Sequence, residues 1–127
     1  MAEILVLVKR IGTLFHEVAE ISKELANAVD RRDEVSIQMI LAMRSEPIEK
    51  LRIADRSLRE ILIDLEDGEE VARIRMILNG AGDAARSEQE KLLAEQAAMN
   101  IRAHQRLMEL DEAVNRKITK DKSVYNM

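Results

Sequence analysis

Two histidines, His16 and His104, are the first residues to test for chemistry, because a neutral imidazole can ligate a metal or move a proton near pH 7. They fall on different predicted helices. Neither has a histidine partner at i, i+4 or belongs to a Glu-x-x-His run, the spacings by which helices of a bundle hold metal. Both read as solvated surface residues, and no metal or other cofactor is expected. Gly80-Ala81-Gly82 follows no strand and leads to no Lys-Ser/Thr, so it reads as a flexible turn and not as a phosphate loop.

Arg44 and Asp55 fall at positions that a helical seam would bury, where a charge is costly unless paired. They stand about 16 Å apart by helical rise, so they cannot pair with each other. Each must reach the rim with its stem or meet a charge on a neighbouring helix; alternatively, a buried polar pair can fix helix register. An enzyme acting on an anionic metabolite would use Arg44 as its obvious ligand, but such a site needs convergent polar groups that the sequence does not supply. The chain is therefore expected not to be an enzyme. Seven methionines are present, with Met39, Met43, Met76, Met99 and Met108 inside predicted helices. Methionine fills irregular gaps in a core, the preferred reading here, and also lines surfaces that bind apolar helices.

The elements that would position these residues are helices. The chain has 127 residues, enough for one domain, with 46% hydrophobic and 35% charged residues and only Phe15 and Tyr125 as aromatics. That balance predicts an all-α fold, an elongated bundle of three long helices plus a short one in antiparallel coiled-coil-like packing, over residues 1–119. A net charge of −4 argues against a nucleic-acid partner. With no cysteine, no leader-like start and no apolar segment of spanning length, a cytoplasmic protein without membrane insertion is expected.

A first helix over about 3–30 keeps a 3-4 apolar spacing through Ile4, Leu7, Ile11, Leu14, Val18, Ile21, Leu25 and Ala28. Leu5, Val8, Phe15 and Val29 widen its stripe enough for more than one neighbour, and Gly12 is tolerated inside it at about 1 kcal/mol. Asp30 or Asp33 can cap the next helix, over about 33–66. Its seam reads Ile37, Leu41, Arg44, Ile48, Leu51, Asp55, Leu58, Leu62 and Leu65. The seam phase survives across Pro47, which predicts one helix kinked there in preference to two.

A short helix over 69–79 is followed by Asn79-Gly80-Ala81-Gly82-Asp83, read as a hinge at Gly80 and Gly82. The last helix, over 84–119, carries Leu92, Met99, Ala103, Leu107, Leu110, Val114 and Ile118 along one side. Its first half is polar and rich in alanine, so its seam is the weakest. Leu92, Met99, Ala103, Leu107, Met108, Leu110 and Val114 are accordingly the expected client-binding groove. Residues 120–127 have no periodicity and are expected to form a flexible tail.

Several stretches together resemble the FlgN-type flagellar export chaperones, with the FliT type a close second. They are the long first amphipathic helix, the break Ala28-Val29-Asp30-Arg31-Arg32-Asp33, and the continuation from Met39 to Leu51. Asn100 to Leu110 in the last helix and a tail tyrosine, Tyr125, complete the likeness. Pro47 departs from that family's uninterrupted second helix. The resemblance implies a cytoplasmic protein without enzymatic activity. It would hold an amphipathic terminal segment of a hook-associated or filament-cap subunit, prevent early assembly and deliver the client to the export apparatus through Tyr125. The last helix would close over the bundle when no client is present, swinging on Gly80 and Gly82. The alternative from another class is a self-associating structural protein that uses the same stripes to form a homo-oligomer.

Overall fold

The computed structural model describes residues 1–66 and 68–125, with side chains described through residue 120. The chain is all-α: α1 (Ala2–Asp30), α2 (Glu34–Asp64), α3 (Gly68–Leu78) and α4 (Glu88–Tyr125), with a 3-10 turn at Gly82–Ala84. At 1.5 Å per residue the three long helices of 29, 31 and 38 residues run about 44–57 Å, so the bundle is elongated.

The wide stripe of α1 has the consequence expected of it. α1 is the shared partner: α2 and α4 each pack along it and flank it without packing closely on each other. Three core clusters stack along this axis. Ile4, Val8, Leu58, Leu62, Ile74, Ile77 and Leu93 form the first. Val18, Ala19 and Leu107 form the middle one, with Phe15, Ile48 and Leu51 against it. Leu25, Ala28, Val29, Ile40 and Val114 form the last. The start of α1 thus meets the end of α2 and the start of α4. α2 runs antiparallel to α1 and returns the chain to the end where it began, and the short α3 stays at that end, so α1 and α4 run parallel.

Each junction has a local cause. Asp33 caps α2, accepting the Ser36 N–H at 3.1 Å and the Ser36 hydroxyl at 2.6 Å. These two bonds hold its carboxyl below the usual value. α1 closes with Asp33 N–H donating to Ala28 O and Arg32 N–H to Val29 O, the Schellman pattern, with Arg32 at φ 56° where glycine is the usual residue. α3 closes in the same way through Ala81 N–H to Met76 O and Gly80 N–H to Ile77 O, here with Gly80 at φ 105°.

α2 runs unbroken through Pro47, as the preserved phase predicts, but its inward face is rotated from the predicted seam. The buried positions are Ile40, Pro47, Ala54, Leu58 and Leu62, while Leu41 and Asp55 are exposed. Helix ends also differ from the pattern. α2 stops at Asp64, α3 begins at Gly68, α4 begins at Glu88, and α4 continues past Thr119 to Tyr125, into the stretch expected to be a flexible tail.

Candidate functional site

The inward face of α4 carries the residues that tie the bundle together, and they are polar. Glu90, Asn100 and Asp111 recur at intervals of about three helical turns, with Asn100 and Asp111 nearly aligned and Glu90 about 80° round from them on the same side of the helix. Glu90, 5% exposed, accepts two bonds from the Arg73 guanidinium, at 2.6 and 3.2 Å, plus the Arg86 N–H and the Ser87 hydroxyl. The Arg73 hydrogen bond is the main reason its carboxyl stays below the usual value, against the opposing effect of burial. This fastens α3 to the first turn of α4, which Ser87 caps by accepting the Glu90 N–H at 3.0 Å.

One step along, the Asn100 amide donates to the Val8 carbonyl of α1 at 2.8 Å and accepts from Gln96 at 2.9 Å. Gly12 makes this approach open: a Cβ there would stand 2.4 Å from Asn100 Oδ1 and 2.7 Å from Gln96 Nε2. Further on, Asp111 accepts from the Arg44 guanidinium of α2 and from the fully buried Ser22 hydroxyl of α1, and Arg44 Nε donates to Ser22 Oγ at 3.1 Å. Three helices meet at that layer. Arg44 therefore finds its charge on a neighbouring helix, and it is engaged by protein groups instead of facing a ligand. Asp55 pairs with Arg59 at 3.0 Å on its own exposed face.

The seven residues expected to form a client groove are not gathered into one. Leu107 and Val114 are buried in separate core clusters, Ala103 and Leu110 are half-buried, and Leu92, Met99 and Met108 are exposed. The inward phase is Leu93, Ala97, Leu107 and Val114: the predicted line is one residue off at its start, at Leu92 against Leu93, and meets the inward face only at Leu107 and Val114. Met39, Met43, Met76, Met99 and Met108 are each 53–62% exposed, so the core-filling reading of the methionines is corrected. His16 and His104 are both exposed as expected, and the His104 ring also lies on Phe15, with centroids 5.3 Å apart.

The chain does form a groove elsewhere, of about 420 Å³, where α2 and α4 flank α1 beyond the end of α3. Val8, Ile11 and Phe15 of α1 make the floor, Leu58 and Leu62 of α2 one wall, and Ala97 and Ile101 of α4 the other. Asp55, Arg59, Arg75, Asn79, Asn100 and His104 provide its polar atoms. Sequence reasoning placed Asp55, Leu58 and Leu62 in a closed seam. The open side could have been read from the width of the α1 stripe, which two flanking helices leave partly bare.

Gly80 and Gly82 lie at the end of this groove. Gly80 is a helix-terminating residue held by its hydrogen bond, and a Cβ on it would come within 3.3 Å of Ile101 Cδ1. The segment they begin does not free α4. Leu93, Ala97, Leu107 and Val114 are buried in the bundle, and exposing the three larger ones at roughly 2 kcal/mol each would consume much of an ordinary domain's stability. Tyr125 ends α4, and its side chain lies outside the described residues.

Among the described residues no group of three His, Asp or Glu side chains is placed to hold a metal ion, and no helix is long and apolar enough to cross a membrane. Fold and groove together define a helical bundle with an open apolar face. Comparison with protein-family models, with curated proteins and with solved structures finds no match.

Proposed function

We propose that this chain is a cytoplasmic protein-binding bundle of the export-chaperone kind and not an enzyme. Its client is an amphipathic terminal segment, such as that of a flagellar hook-associated or filament-cap subunit, which it keeps from assembling and delivers to an export apparatus. The observation that carries the reading is the groove on α1 between α2 and α4. It has an apolar floor and polar rims, the make-up of a helix-in-groove site. The binding residues are then Ile11, Phe15 and Ile101, backed by the buried Leu58 and Leu62, in place of the outer face of α4. Delivery through Tyr125 belongs to the same reading and rests on the resemblance.

A photo-crosslinking residue in place of Ile101, which is 41% exposed, tests this in the cells of origin. The expected product joins the chain to the terminal segment of a secreted filament or hook subunit. Self-association has support of its own in the exposed Val35, Met39 and Met43 along the outside of α2. Crosslinks only between copies of the chain would replace the chaperone reading with that one.

A further inference from the structure

We propose that the helix this groove receives is an acidic amphipathic one, lying on the α1 floor in line with α3 and offering a carboxylate to Arg75. The inference rests on the groove reading above and names its ligand. α3 is the bundle's own example of what the floor accepts. It is a short amphipathic helix whose Ile74 and Ile77 are fully buried on Val8, Leu58, Leu62 and Leu93. Past Leu78 the helix ends but the floor does not, since Ile11, Phe15 and Ile101 line the open stretch. A second apolar face of the same spacing would continue the packing that α3 begins.

The charge of the rim selects the helix. On a chain with a net charge of −4, this groove carries two arginines and one aspartate. Asp55 is committed to Arg59 at 3.0 Å. Arg75, exposed in the last turn of α3, makes no ion pair among the described residues. A glutamate-faced helix would meet that cation, whereas a lysine-faced one would set like charges together.

The test uses the full chain and two synthetic helical peptides of about fourteen residues with the same Leu and Ile face, one with a Glu polar face and one with Lys. Binding is read by fluorescence anisotropy. The Glu-faced peptide should bind about fivefold tighter, as suits one rim-exposed pair, and Arg75→Glu should reverse the order. Arg102→Glu, an exposed change away from the groove, should leave the order unchanged. Equal binding of both peptides, or indifference to Arg75→Glu, overturns the acidic preference while leaving the groove as a helix site. Binding of neither peptide overturns the groove reading with it. A dimer that the peptides do not dissolve and that Ile101→Glu abolishes would assign the groove to a second copy, which also overturns the proposal.

Discussion

The two ends of α1 are covered in different ways. At its start, the space between α2 and α4 is filled by a fourth helix, with Ile74 and Ile77 fully buried among Ile4, Val8, Leu58, Leu62 and Leu93. Towards its end no such helix is present among the described residues, and the flanking helices are joined by the layer of Ser22, Arg44 and Asp111, with Lys117 reaching Asp30 at 2.8 Å. One end is stabilised by apolar burial, which is large and without direction. The polar contacts of the other join α1, α2 and α4 and fix which helix faces which, whereas the Glu90–Arg73 pair of the first joins only α3 to α4. Between them lies the open groove, where neither device covers the floor.

The largest effect that could break this comparison is at the filled end. Ile74→Ala should cost about 2–5 kcal/mol by denaturant unfolding, and more than Ile40→Ala in the less crowded far cluster. Equal losses would show that α3 adds no special stability. At the bridged end, Asp111→Ala leaves the Arg44 charge and the buried Ser22 hydroxyl without their acceptor and should cost about 1–3 kcal/mol. The paired change Arg44→Met with Asp111→Leu should recover most of it. A paired change as damaging as the single one would assign the layer a stability role beyond register.

Acid separates the ends through Glu90. Its carboxyl lies below the usual 4.5 in the folded chain, so its contribution is complete above that value and is lost as pH falls through the lowered one. Thermal melts across that acid range should therefore lose stability less steeply in Glu90→Gln than in the parent, although the variant starts lower at neutral pH. Parallel curves would remove Glu90 from the acid response. The smallest expected effect lies between the ends. Gly12→Ala should destabilise by about 1 kcal/mol, because the methyl displaces Asn100 and Gln96. In an Asn100→Ala, Gln96→Ala background the same substitution should instead stabilise by about 1 kcal/mol through helix propensity. The sign change is the measurement.

α1 was legible from its residues because its stripe is wide. An error of one position still leaves Ile4, Leu14, Val18, Leu25 and Ala28 inside. α2 and α4 have narrow inward faces, and one residue is 100° of rotation, enough to turn Leu41 and Asp55 outward and bring Pro47 and Ala54 in. The misassigned groove on α4 follows from the same arithmetic: counting large apolar side chains favours Met99 and Met108 over Leu93 and Ala97. Glu90, Asn100 and Asp111 were missed because a search for an apolar seam passes over polar residues. Their place on the inward side of α4 becomes visible only once Leu93 and Val114 are known to face inward.

Composition and periodicity by themselves determined an all-α chain, the existence of four helices, an aspartate cap for α2 and the continuity of α2 through Pro47. These are local matters, set by backbone hydrogen bonding and the spacing of apolar side chains within one helix. Only the tertiary structure decided that α1 and α4 run parallel, that Arg44 meets Asp111, that Gly12 opens the Val8 carbonyl to Asn100, and where the floor stays uncovered. Each of these depends on the rotation and offset of one helix against another. Many such offsets bury nearly the same apolar area, and the choice among them falls to a few polar atoms far apart in the chain, such as those of Ser22 and Asp111.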